Sequence, residues 1–221
     1  MEHFPIFLDL KGRRVVVIGG SDAAARKIEL LIQAGARPAV IAPTVSDEIA
    51  AWARGGRCVH EAPALIRWSL DFSVLVVVAT EDDELARTAA AAAQDRGILV
   101  NVVDRPELSS FIMPAILDRS PVVVAISTGG ASPTLAQMLR SRIEAALPAG
   151  IERLAHLARS LRPLVQEFLA DAAERRAFWR RALASPAANL ALSGREDAAR
   201  ADMVGQLRDA ANRTSEPTRA R

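Results

Sequence analysis

The chain has 221 residues, half of them hydrophobic, and carries 28 lysines and arginines against 26 acids for a net charge of +2. That length suits one large domain or two small ones, and the basic residues are scattered rather than gathered with aromatics, which argues against a nucleic-acid partner. No apolar run approaches the ~20 residues of a membrane span, and the start Met1-Glu2-His3-Phe4 lacks the basic and apolar regions of a secretory signal, so a cytoplasmic protein with no membrane partner is expected.

Residues 4–10 read as an apolar lead-in packed on a first strand. That strand is the β-branched run Val15 to Ile18, as expected of a parallel strand covered on both faces. Gly19 and Gly20 turn it into an alanine- and leucine-rich helix that runs to about Ala34. A strand turning on glycine into a helix aims backbone N–H groups and a positive dipole end at one point, where phosphate binds. Against the dinucleotide pattern G-x-G-x-x-G/A, Gly19 and Ala24 hold the first and third small positions, while Ser21 stands at the second. A plain strand–helix turn is the alternative.

A second strand, about 38–41, ends in Ala42-Pro43-Thr44 without the acid that often holds an adenosine ribose, so that rule does not choose between NAD and NADP. Pro43 and Thr44 still close the crevice beside the glycine turn. Thr44 or Ser46 caps a helix through Trp52 that Gly55-Gly56 ends. Residues 57–60 form an edge strand holding Cys58, the single cysteine, which excludes an internal disulfide and a thiolate metal cluster. Residues 73–79 are the most strand-like run and belong at the sheet centre, with Thr80 at the carboxyl end. Glu81 to Glu84 place carboxylates on a helix N-terminus, and the helix stops at Gly97. Residues 98–103 make the next strand, with Asn101 and Asp104 at its end. The alternation β-α-β-α-β-β-α-β is that of an α/β doubly wound, Rossmann-like parallel sheet.

Two strands joined at Asp118-Arg119-Ser120 follow, then the loop Ser127-Thr128-Gly129-Gly130-Ala131-Ser132 and a helix with Pro133 at its first position. That helix, 133–147, has an apolar stripe at 135, 138, 139, 143, 146 and 147. From Pro148 the pattern is helical, broken at Pro163 and Pro186, and residues 214–221 read as a disordered polar tail.

His3, His60 and His156 lie far apart, so no metal site is preformed. What remains for chemistry is a set of polar groups at strand ends: Thr80, Asn101, Asp104 and the 127–132 loop. Ligands bind outside the carboxyl ends of such sheets. Asp104 is the best carboxylate for proton transfer, or else a cap before Arg105-Pro106.

Six segments in order, Phe4-Pro5-Ile6-Phe7, Val17 to Lys27, Val78 to Asp83, Asn101-Val102-Val103-Asp104, Ser110 to Pro114 and Ile126 to Pro133, resemble the precorrin-2 dehydrogenase/ferrochelatase module of siroheme synthases, over residues 1 to about 185. The resemblance implies a Rossmann domain over 1–113, a small α/β dimerisation region over 114–147 and a helical C-terminal domain over 148–213, assembled as a homodimer. It implies NAD-dependent oxidation of precorrin-2 to sirohydrochlorin, and in many members insertion of ferrous iron as substrate to give siroheme. Bifunctional siroheme synthases add a methyltransferase domain; this sequence stops before one, so another protein is expected to methylate. Carried over residue by residue, Gly19, Gly20, Ser21, Asp22 and Ala23 form the pyrophosphate turn, and Pro43 and Thr44 the second cofactor segment, with Thr80 facing the same crevice. Asp104 takes the acid/base role. Asn101, Ser127, Thr128, Gly129 and Gly130 fall in the tetrapyrrole-binding region, and Arg105 and Arg119 suit the macrocycle's eight carboxylates. Ser21 departs from the family's usual glycine, and a non-catalytic nucleotide- or tetrapyrrole-binding regulator is the competing reading.

Overall fold

The computed structural model describes residues 1–66 and 69–215. The chain divides into two compact units, Met1–Met113 and Pro114–Arg221. The first contains strands β1 (Arg14–Ile18), β2 (Arg37–Ile41), β3 (Val59–Ala62), β4 (Leu75–Val78) and β5 (Leu99–Val102), with helices α1 (Asp22–Gln33), α2 (Asp47–Arg54) and α3 (Asp83–Gln94). Every strand pair is parallel, in the order β3-β2-β1-β4-β5. The expected central strand, β4, therefore sits beside the true centre, β1. Both strands are covered on both faces, so their apolar runs look alike in sequence.

Alternation along β1 divides the core. Val15 and Val17 pack with Ala24, Ile28 and Leu31 of α1 and Ile49 of α2, whereas Val16 and Ile18 pack with Ala86, Ala89, Ala90 and Ala93 of α3. The alanine face lets α3 lie close to the sheet. At the β5 edge, the Ser109 and Ser110 hydroxyls accept from the N–H groups of Val102 (2.9 Å) and Val100 (2.8 Å). That closes an edge which would otherwise expose unpaired backbone.

The lead-in does not pack on β1. Phe4 is 78% and Phe7 73% exposed, and in this stretch only Leu10 enters the core. Both faces of β1 are already covered by helices, which leaves no apolar surface for a further layer.

The second unit opens with the antiparallel hairpin β6 (Ala115–Arg119) and β7 (Val122–Ile126), in the register Ala115↔Ile126. Helix α4 (Pro133–Ala146) lies on it, its Arg140 donating from Nε to the Ile116 carbonyl at 2.8 Å. Helices α5 (Ile151–Phe168), α6 (Ala172–Leu183), α7 (Pro186–Leu192) and α8 (Glu196–Ser215) then enclose Leu161, Val165, Phe178, Ala191, Met203 and Leu207. Pro163 does not break the chain but lies inside α5; Pro186 does start a helix, at the first turn of α7. Residues 214 and 215 finish α8, and the rest of the expected tail, 216–221, lies outside the described residues.

Candidate functional site

The chain runs outward from β1 to β2 and β3, then returns to β4 and β5 on the other side. The order therefore reverses between β1 and β4, the place where α/β sheets bind ligands. The β1–α1 turn fills that point. Gly19 has φ +126°, and a Cβ there would run into the Ala79 carbonyl at the end of β4. A Cβ on Gly20 would meet the Thr44 carbonyl in the same way. Gly19 N–H donates to Ile41 O at 2.9 Å, and Ser46 N–H to Gly20 O at 2.8 Å. Both glycines are thus fixed by close approach of the β2 and β4 ends to the turn.

Ser21 is the N-cap of α1, with φ −78° and ψ 175°. This is ordinary extended backbone, so its side chain brings no left-handed strain. Its hydroxyl makes no capping bond, which leaves the first-turn N–H groups of α1 for another acceptor. Ala24 is fully buried at the third small position, where α1 approaches the sheet. Ser21 and Asp22 are exposed at the mouth, Ala23 is half-buried, and Pro43 and Thr44 are exposed at the end of β2. An uncapped helix N-terminus behind a glycine turn with no room for side chains fits the pyrophosphate of a dinucleotide.

Beyond β4, the Thr80 hydroxyl accepts from Asp82 N–H at 3.2 Å, and Asp82 caps α3 by accepting from Leu85 N–H at 3.0 Å. Asn101 is buried in β5, where its amide donates to the Phe111 carbonyl at 3.0 Å. Its visible work is to hold the Ser110–Phe111 segment against the strand. Asp104 follows β5, exposed, with φ +61°. An aspartate tolerates that region better than most residues but still pays for it, by about 1–2 kcal/mol. Among the described residues its carboxylate caps nothing, and the short 3-10 turn Pro106–Leu108 begins without a side-chain cap. The capping alternative therefore has no bond to rest on.

Arg105 is turned away to Asp83, the first residue of α3, with which it forms an ion pair. Asp83 also accepts from Arg87 Nε at 2.9 Å, and that bond, followed by the Arg105 charge, holds its carboxyl below the ordinary aspartate value. Ser109 Oγ donates to the Arg105 carbonyl at 2.9 Å, and Arg105 N–H to Val102 O at 3.2 Å. The strained Asp104 turn is therefore pinned on its following side. Arg119, the other expected anchor, pairs with Glu144 at 2.6 Å.

The second unit holds the loop between β7 and α4. Thr128 Oγ1 donates to Ser132 O (3.1 Å) and accepts from Ser132 N–H (3.2 Å), while Ser127 Oγ accepts from Gly129 N–H at 3.0 Å. Gly129 and Gly130 take φ +63° and +84°. The hydroxyls thus build the loop themselves, and Ser132 also caps α4 through Leu135 N–H. Sequence reasoning missed the structural use of Ser109 and Ser110; paired serines beside an edge strand were the available signal. Cys58 is buried, and burial raises its thiol against the opposing charge of Arg57, so it packs rather than reacts. Among the described residues no three His, Cys, Asp or Glu side chains converge to hold a metal.

Three family models match the chain: an NAD(P)-binding model over residues 6–115, the sirohaem biosynthesis protein central model over 119–146, and the sirohaem synthase dimerisation region over 150–207. The siroheme synthase of Chromobacterium violaceum is 46% identical over 211 residues, covering 94% of this chain and 44% of that protein. That of Azotobacter vinelandii is 44% identical over 213 residues, covering 96% and 46%. The chain belongs to the siroheme synthase family. It spans under half the length of these relatives. Among solved structures, the precorrin-2 dehydrogenase SirC superposes with a TM-score of 0.69 at 25% identity, covering 94% of this chain and all of that one. The family's dimerisation model falls on α5 to α8 rather than on the 114–147 stretch expected from the sequence.

Proposed function

We propose that the chain oxidises precorrin-2 to sirohydrochlorin with NAD as hydride acceptor. The observation that carries this reading is Asp104. It is an exposed carboxylate in left-handed backbone at a strand end of a dinucleotide-type sheet, and among the described residues it makes no bond of its own. Strain kept at a group that does nothing for the fold points to chemistry. The SirC likeness over the whole of that chain and the siroheme synthase relatives support the same substrate class.

When bound, the dinucleotide supplies the two-electron acceptor, so the protein has to position and to move protons. Gly19, Gly20 and the α1 N-terminus, from Ser21 to Ala23, receive the pyrophosphate, and Pro43, Thr44 and Thr80 line the mouth beside it. Removal of hydride from the macrocycle leaves one proton to be lost, and Asp104 accepts it as general base. In the first unit Asn101 sets the depth of the Phe111 segment beside β5. In the second, the loop of Ser127, Thr128, Gly129 and Gly130 is the segment that the family resemblance assigns to tetrapyrrole binding. Arg105 serves as a positioning residue through Asp83.

The relatives' name favours a second activity, insertion of ferrous iron into sirohydrochlorin, since siroheme is the iron product. Here the four pyrrolic nitrogens become the ligands, and Asp104 removes their protons. The working assembly is a homodimer, in keeping with the dimerisation region matched over 150–207. The regulator reading rested on Ser21, and an N-cap in extended backbone gives it no support.

Purified protein given precorrin-2 and NAD should develop the absorption of sirohydrochlorin together with that of the reduced nicotinamide. No change in either band would overturn the dehydrogenase reading. Ferrous iron added afterwards tests insertion separately.

A further inference from the structure

Residues of α5 and of α6 line one open pocket of about 580 Å³. Arg159 and Arg162 face it from α5, and Arg175, Arg176 and Trp179 from α6, with no carboxylate in the lining. The positions follow helical spacing: 159 and 162 are three apart, and 175 and 179 four apart, so each set shares a face. Like charges gathered on facing helices repel one another, and a chain assembled for stability alone would interleave acids.

The arginines are held differently. Arg175 donates to the Leu169 and Ala170 carbonyls at 2.9 and 2.5 Å, which closes the end of α5 and fixes its guanidinium at the pocket wall. Arg176 lies near Asp171, but that carboxylate already accepts from the N–H groups of Ala173 and Glu174 as the α6 cap. Arg159 and Arg162 are exposed and have no ion pair among the described residues. Trp179 is half-buried, held edge-on by Phe178 with ring centroids 5.1 Å apart, and so offers a fixed aromatic wall.

We infer that the α5–α6 pocket is an anion site for a polycarboxylate carried on a flat aromatic body, the carboxylate side chains of the tetrapyrrole substrate class. Guanidinium forks match carboxylates two bonds at a time. Several such pairs around an indole wall select a ligand with more than one acid group. The inference rests on the substrate class proposed above but not on turnover.

The test uses the full chain and uroporphyrin I, an octacarboxylate macrocycle that is not the dehydrogenase substrate, titrated by calorimetry at fixed salt. The double variant Arg159→Ser, Arg162→Ser should bind it at least tenfold more weakly, with NAD affinity and circular dichroism unchanged. Arg159→Lys, Arg162→Lys should recover part of the loss, since charge returns without the fork. Equal affinity in the serine variant and the parent would overturn the site. So would displacement of the macrocycle by millimolar inorganic phosphate, which would mark a small-anion site. A serine variant that changes oligomeric size in light scattering would show the arginines to meet a second copy, and would overturn it too. A chain inactive toward precorrin-2 that still shows the arginine-dependent binding would refute the dehydrogenase reading and keep this one.

Discussion

Strands β1 and β7 are built from almost the same apolar string, Arg14-Val15-Val16-Val17-Ile18 and Val122-Val123-Val124-Ala125-Ile126, and they come to opposite ends. In β1 the four apolar residues are buried. In β7 they alternate between half-buried and exposed, with one partner strand and only slight contact from α4 and α5. Between them the hairpin and α4 bury only Leu117 and Ala136, and they leave Leu135 45% and Met138 50% exposed. Burial is decided by how many neighbours the topology supplies. The strands at the centre of the sheet unit are covered on both faces, whereas residues 115–146 bury little and present apolar surface on α4 that calls for a cover. Chemistry is expected where the covered sheet opens, and assembly where α4 is bare.

The largest test of that division is Asp104→Ala. Turnover should fall by a factor on the order of 10²–10⁴, the span of general acid–base catalysis. The melting temperature should fall only slightly, because alanine tolerates the left-handed backbone at φ +61° less well than aspartate, while the carboxylate makes no bond among the described residues. Full activity in steady-state assays would remove Asp104 from the mechanism.

Next comes the contrast between two glycines. Gly20→Ala drives a Cβ into the Thr44 carbonyl, whereas a Cβ on Gly130 meets nothing within 4 Å. The first should destabilise by more than the ~1–3 kcal/mol of ordinary overpacking and abolish NAD binding. The second should cost only the left-handed penalty of roughly 1–2 kcal/mol. Thermal melts that rank them in the reverse order would mean the turn is looser than its contacts imply.

For the bare region, Leu135→Glu with Met138→Glu places charge on the exposed stripe of α4. If a second copy covers that stripe, light scattering at micromolar concentration should show monomer where the parent gives dimer. A variant that stays dimeric assigns the subunit contact to α5–α8, where the family's dimerisation model falls.

The order of strands and helices was legible because each has its own punctuation: Gly19-Gly20, Gly35 and Gly55 at turns, and acids at the start of α3. The glycine turn, Thr80 and Asp104 follow from strand ends alone. Other features were not legible, for physical reasons. Whether Phe4 and Phe7 are covered depends on faces the helices have already taken, which no local pattern records. Arg105 is one arginine among many in the sequence, and only the fold shows that it is half-buried and held by Asp83. Pro163 reads as a break, yet neighbouring helices carry α5 through it, because tertiary packing outweighs one lost backbone bond.

The smallest effect is expected at Ser21, and it separates two reasons for glycine in a phosphate turn. One is conformational: some turns require φ > 0, which a side chain resists. The other is spatial, because a Cβ fills the gap through which backbone reaches the ligand. At Ser21 the first reason is absent, since φ is −78°, and Gly19 carries the positive φ of this turn instead. Only the spatial reason remains, and it is opposed by a hydroxyl that makes no capping bond and can donate to a phosphate oxygen. Replacement of an N-cap serine by glycine costs a few tenths of a kcal/mol at most. Ser21→Gly should therefore change NAD affinity by no more than about threefold in either direction, well under the ~1.4 kcal/mol of a tenfold shift. Turnover at saturating NAD should stay as it was. Calorimetric titration of the two proteins checks this: a gain of tenfold or more would show that crowding at the second small position governs the site, and a loss of that size that the hydroxyl had become a working ligand to the phosphate.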